Sequence, residues 1–170
     1  VDFSPLSVMT SLEVLDISNT LPPTLAFLTN LTNLREFDFD SPGQGSPEFD
    51  YSVIGTLTTL ERLSLAFHTL GSLEVLGPLA NFTELRELLV SGTGIEEIIP
   101  ILTLPSLRSL VLAFDPISDL DVLSLLVRLE ELVLVGFDLV DLQSLEPLVN
   151  LRSLNVRDSP NLTDIDALSA

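Results

Sequence analysis

The chain has no cysteine, no lysine and a single histidine. The missing thiol excludes disulfides, thiolate metal centres and a cysteine nucleophile together. The missing lysine leaves seven basic residues, all arginine, against 25 carboxylates, for a formal net charge of -18 at pH 7. Such an acidic balance makes nucleic acid and anionic membrane poor partners. It suits a protein that stays hydrated in concentrated salt, and is also an ordinary solubility device. No stretch reaches the ~18 uninterrupted apolar residues needed to cross a bilayer, because Arg, Asp, Glu, Ser or Pro interrupts every leucine-rich run, so no membrane insertion is expected. The first residues, Val1 to Pro5, carry neither the basic start nor the long apolar stretch of a secretory signal.

What the chain has is a period. The pattern Leu-x-x-Leu-x-Leu, with Phe, Ile or Val at some later positions, starts at Leu12, Leu34, Leu60, Leu85, Leu107, Leu129 and Leu151. The intervals are 22, 26, 25, 22, 22 and 22 residues. One such unit cannot bury its own apolar face, so neighbouring units must stack into a solenoid with a continuous core. Each unit supplies a short strand, at Leu15–Ile17, Phe37–Phe39, Leu63–Leu65, Leu88–Val90, Leu110–Leu112, Leu132–Leu134 and Leu154–Val156. Alternation points these apolar side chains inward and the residue between them outward. Side by side, the strands form one parallel concave sheet.

The other half of each unit spaces apolar residues by three, as in Ile117, Leu120, Leu123 and Leu126, with Pro78, Pro100 and Pro147 among them. That spacing fits short 3-10 or irregular turns, and proline removes backbone donors that a regular helix needs. The fold class expected is an α/β right-handed solenoid, with a parallel sheet of about seven short strands and a thin 3-10 or irregular convex side. Residues 1–170 form a single repeat domain.

Segments such as Ile117-Ser118-Asp119-Leu120, and the run from Leu139 through Asp141, Leu142, Leu145, Pro147 and Leu148 to Leu151, resemble the 22-residue leucine-rich repeats of bacterial internalins. The likeness covers practically the whole chain and implies a leucine-rich-repeat fold, a class that serves adhesins, regulatory subunits and receptors alike. It also implies an extracellular or cell-surface location, with a cytoplasmic one as the alternative. One departure stands out. The ninth repeat position, Asn in that family, reads Thr20, Pro42, His68, Thr93, Asp115, Phe137 and Ser159. Thr, Ser, Asp and His can still satisfy some turn backbone groups, whereas Pro42 and Phe137 cannot.

Four outward rows carry the candidate chemistry. The second repeat position, Glu13, Arg35, Glu61, Arg86, Arg108, Glu130 and Arg152, mostly alternates in sign, which predicts lateral ion pairs between strands. The central row runs Asp16, Asp38, Ser64, Leu89, Val111, Val133 and Asn155, flanked by Ser18, Asp40, Ala66, Ser91, Ala113, Val135 and Arg157. Polarity therefore changes along the solenoid: carboxylates first, then an apolar strip of Leu89, Val111, Ala113, Val133 and Val135. An apolar strip on a concave sheet is what a protein-binding surface requires, although β-branched residues also simply suit strands. Phe67 and Phe114 at the sheet's edge extend it as aromatic anchors, and Asp16, Asp38 and Asp40 favour a basic end of the partner.

Nothing in the sequence assembles a catalyst. His68 has no partner histidine and reads as a turn residue, there is no glycine-rich phosphate loop, and carboxylates on outward positions stay hydrated. The insertion Ser41–Tyr51 reads as a rim loop; Asp40 before it, with Glu48 and Asp50 inside it, matches no calcium-loop spacing, so no metal or cofactor is expected. The acceptor patterns at Asn30, Asn81 and Asn161 follow from repeat grammar, since each has its middle residue in the core. Neither end carries a recognisable cap, which points to an excerpt of a longer array or to a subunit that stacks. The sequence reading is a non-catalytic protein-binding module working through its concave sheet. The alternative is a structural spacer or filament subunit associating end to end.

Overall fold

The computed structural model describes residues 2–41 and 49–165. The part of the insertion from 42 to 48, with Pro42 and Glu48, lies outside them. Seven strands form one sheet in sequence order: β1 (Val14–Asp16), β2 (Glu36–Asp40), β3 (Arg62–Ala66), β4 (Glu87–Ser91), β5 (Ser109–Ala113), β6 (Glu131–Val135) and β7 (Ser153–Arg157). All neighbours are parallel, and the register never slips: Leu15, Phe37, Leu63, Leu88, Leu110, Leu132 and Leu154 lie in one line across the sheet. The longer second and third repeats therefore place their extra residues in connections. Strands β2 to β7 run one residue further at each end than the inward pair alone suggests. β1 begins at Val14, and the Ile17 amide continues its pairing onto the Asp38 carbonyl at 3.0 Å.

Behind the sheet run eight 3-10 turns, and no α-helix occurs among the described residues. The spacing of three explains this directly. Leu28 donates to Leu25, Leu31 to Leu28 and Leu34 to Leu31, at 2.9, 2.9 and 3.0 Å. Each apolar residue thus buries its side chain and also donates an i→i+3 bond, and the series delivers the chain to the first leucine of the next strand. The same series recurs from Leu120 through Leu123 and Leu126 to Leu129, and from Leu142 through Leu145 and Leu148 to Leu151.

The core is one continuous stack of these residues. Leu28, Leu31, Leu34, Phe37, Phe39, Ile54, Leu57 and Leu60 are fully buried from the first repeat into the third, as are Ile101, Leu110, Leu112 and Leu123 further along. At Gly55 the chain passes so close to the next turn that a Cβ would stand 2.1 Å from the Leu76 carbonyl oxygen. Only glycine fits there.

Repeat is joined to repeat by two backbone and side-chain devices. From Glu13 to Glu130, the carbonyl of each second-position residue accepts two amides from the following repeat, as Glu13 does from Arg35 and Glu36 at 2.7 and 3.0 Å. In addition, the last residue of a repeat donates its side chain to the previous repeat. Asn33 bonds the Thr10 carbonyl at 2.7 Å, Thr59 that of Thr32 at 3.0 Å, and Ser106 that of Thr83 at 2.6 Å. Arg128 does the same to Pro105 at 2.7 Å and Asn150 to Val127 at 2.8 Å.

Candidate functional site

The outward residues of the seven strands build the concave face. In its central row, Leu89, Val111 and Val133 are direct neighbours across β4, β5 and β6, and Ala113 pairs with Val135 one row over. Asp16 lies beside Asp38 across β1 and β2, while Asp40 pairs with Ala66 of β3. The acidic and apolar groups therefore share one face but do not touch. Buried Ser64 and Ala66 of β3 separate them.

Exposure differs within the strip. Leu89, Val111, Val133 and Val135 are half-buried, and Ala113 is buried. A methyl group between Ser91 and Val135 is short enough to be shaded by both, so Ala113 contributes floor rather than contact. Asp16 is exposed, Asp38 and Asp40 half-buried. A strand side chain at the bottom of a curved sheet is partly shaded by the strands beside it, which alternation alone does not convey.

The second-position charges are largely paired. Glu13, Arg35 and Glu61 form one lateral chain, with Arg35 bound to Glu61 and 3.8 Å from Glu13. Arg108, Glu130 and Arg152 form another, at 3.8 and 3.2 Å. Arg86 makes no ion pair among the described residues. One pairing crosses rows: Arg62 binds Asp38 and lies 3.4 Å from Glu87. Its bond to Asp38 raises the Arg62 pKa, and Asp38 is the ion-paired member of the acidic group. Asp16 accepts the Ser18 amide at 2.8 Å, which lowers its pKa, and Asp40 accepts the Ser64 hydroxyl at 3.0 Å.

Phe67 and Phe114 occupy the eighth repeat position, and their local geometry was not legible in the sequence. Both adopt positive φ, 58° and 55°, as do Asn19, Gly92, Gly136 and Asp158 at the same position of other repeats. Left-handed backbone is ordinary for Gly, Asn and Asp and strained for a bulky side chain. Both rings are nevertheless well exposed, at 52% and 57%. Each leans on the glycine of the next repeat: a Cβ on Gly92 would stand 2.9 Å from Phe67 Cδ1, and one on Gly136 2.8 Å from Phe114 Cδ1. The glycines thus leave the space that the ring edges fill.

At the ninth position the turns are held in three ways. His68, 1% exposed, points Nε2 at the Phe39 carbonyl at 2.7 Å and Nδ1 at the Tyr51 hydroxyl at 3.1 Å. A carbonyl only accepts, so Nε2 carries the proton and Nδ1 accepts from Tyr51. Burial lowers the His68 pKa, against the opposing pull of the Phe39 bond and of Asp40, and burial pushes the Tyr51 phenol up to about 12. Asp115 is buried, and its Oδ1 accepts the Thr93 and Gly94 amides at 2.7 and 2.8 Å and the Thr93 hydroxyl at 3.0 Å. Phe137 simply buries its ring in the core. These are structural bonds within turns. Among the described residues, no group of three or more His, Cys, Asp or Glu could hold a metal ion, and no helix is long and apolar enough to cross a membrane.

A seven-strand parallel sheet backed by about one 3-10 turn per repeat defines a leucine-rich-repeat solenoid, and its architecture is that of the internalins. Internalin C2 of Listeria monocytogenes superposes with a TM-score of 0.69 at 20% identity, over 94% of this chain and 73% of that one. An internalin (InlF) of the same organism gives 0.65 at 22%, over 99% and 54%. A leucine-rich-repeat protein of Leptospira interrogans gives 0.63 at 21%, over 95% and 50%. The chain thus spans about half the length of the latter two structures. No family model matches it, and no curated protein matches it in sequence.

Proposed function

We propose that this chain is a non-catalytic protein-binding module whose concave sheet is the contact surface. The observation that carries the reading is the change of polarity along that face. Leu89, Val111 and Val133 sit side by side on interior strands, half open to solvent, while Asp16, Asp38 and Asp40 hold the other end. Side chains on strands paired on both sides are fixed in position, so a partner loses little entropy in organising them. The leucine-rich-repeat fold of its structural neighbours supports a role in protein interaction, and the internalin likeness supports an extracellular or cell-surface location.

The test is the double substitution Val111→Asp and Val133→Asp. Both side chains point away from the core, so the far-ultraviolet spectrum and melting of the solenoid should be retained. Binding to a partner identified by cross-linking to the wild-type chain should fall by about a hundredfold or more, the effect of charge in the centre of an apolar contact. Unchanged affinity in the folded double variant would remove the concave strip from the contact.

A further inference from the structure

We propose that the rim row at the C-terminal ends of β3 to β6 is a docking site for a polyproline-II segment that carries a basic residue at one end. This rests on the concave-face reading and specifies the chemistry of its partner. On four consecutive repeats the row reads Phe67, Gly92, Phe114 and Gly136. Two exposed rings therefore stand two strands apart, which at ~4.8 Å per strand is ~9.6 Å. A polyproline-II helix repeats every three residues at a rise of ~3.1 Å, or ~9.3 Å per turn. Prolines three residues apart, running across the strands, meet one ring each.

The surface offers ring faces and no free backbone. β3 to β6 are paired on both sides, so an extended peptide cannot add to them as a strand. A polyproline-II segment needs no such bonds: its proline rings pack on aromatic side chains, and its conformation is set before binding. The backbone strain at Phe67 and Phe114 fits the same purpose, because glycine, which two repeats already use there, would relieve it.

Charge selects the orientation. One strand beyond Phe67, Asp40 lies beside Ala66, and its carboxylate accepts the Ser64 hydroxyl at 3.0 Å. Asp38 and Glu36 lie further down β2 and Asp16 down β1, and Arg62 on the neighbouring strand is held by Asp38 and Glu87. A peptide that runs past Phe67 therefore nears the Asp40 carboxylate, with the acidic end of the concave face behind it, and an arginine or lysine at that end completes the match.

The experiment is fluorescence anisotropy of a labelled oligoproline peptide with a pair of arginines at one end, titrated with the full chain at physiological ionic strength. Its control is a Gly/Ser peptide of equal length and charge. The oligoproline should bind at least about tenfold tighter than the control. Phe67→Gly with Phe114→Gly should abolish that difference while melting stays near wild type, because glycine suits the positive φ; Phe67→Tyr should preserve it. Equal affinity for the two peptides, or full oligoproline binding by the folded Phe67→Gly, Phe114→Gly variant, overturns the proposal. A chain that captures its protein partner through Val111 and Val133 yet ignores oligoproline keeps the concave-face reading and removes the polyproline assignment. Oligoproline binding that survives Val111→Asp and Val133→Asp supports the rim site.

Discussion

Asn150 reaches back one repeat to Val127: its side-chain amide donates to the Val127 carbonyl at 2.8 Å. Asn33, Thr59, Ser106 and Arg128 make the equivalent bond in their own repeats, so a side-chain ladder runs along the solenoid at the last repeat position. It stands where the missing asparagines of the ninth position would have led one to expect no ladder at all.

Glu84 occupies that last position in the third repeat, and an ionised carboxylate has no proton to donate. Glu84→Asn should restore the missing rung and also remove one charge from a strongly acidic surface. We expect a gain of about 0.5–1 kcal/mol, with Glu84→Ala giving less because it removes only the charge. Thermal and urea unfolding of the three proteins decides it; an Asn variant no better than the Ala variant would show that the rung does not form.

Asp115 is a second back-reaching residue, and it is half satisfied. Its Oδ1 collects four donors from Thr93, Gly94 and Ile95, whereas Oδ2 is buried with no hydrogen-bond partner. Asp115→Asn keeps the accepting oxygen, so stability should change by less than about 1 kcal/mol. Asp115→Ala strands the amides of a buried turn and should cost about 2–4 kcal/mol. Equal stability of the Ala and Asn variants would mean that water replaces the carboxylate without loss.

The last-position ladder and Asp115 show where the sequence was readable and where it was not. Strand positions, register and the 3-10 side follow from spacing alone, because spacing decides which side chains face inward and which amides meet which carbonyls. The alternating charges of the second position also translate directly into the pairs around Arg35 and Glu130. The last-position ladder was hidden because Asn, Thr, Ser and Arg share no side-chain type, only a donor at reach. Likewise the rows of the concave face were legible, but not the burial of Ala113 or the fit of Phe67 onto Gly92, which depend on what the adjacent strand leaves open.

Two glycines separate close packing from backbone strain. At Gly55 an added Cβ meets the Leu76 carbonyl oxygen at 2.1 Å, and backbone on both sides leaves nothing flexible to yield. Gly71 has φ +69° and open space around it. Gly71→Ala should therefore cost about 1 kcal/mol, the left-handed penalty alone. Gly55→Ala should cost about 3 kcal/mol or more, since two turns must move apart. Melting of the two variants side by side checks the order, and equal losses would refute the close approach.

His68 should make stability depend on pH in a defined direction. Burial holds its folded-state pKa below the ordinary 6.5. As pH falls through 6.5, the unfolded chain takes up a proton that the folded one resists, so stability is full above that value, declines below it, and levels off once the folded pKa is passed. The groups facing the ring are the Tyr51 hydroxyl on Nδ1, the Phe39 carbonyl on Nε2, the rings of Phe39 and Phe49, and the charge of Asp40. Of these only Asp40 favours the protonated form by its charge. His68→Asn should cost about 1–3 kcal/mol at neutral pH through lost packing and hydrogen bonds. Carboxylates and net charge titrate alike in both proteins, so the informative quantity is the difference between their unfolding free energies. That gap should be widest above pH 7 and narrow from about pH 6.5 downward, as wild type alone loses the histidine contribution. Urea titrations from about pH 8 to about pH 5 measure it, and a gap constant across that range would mean that the imidazole is equally at ease charged or neutral beside Tyr51.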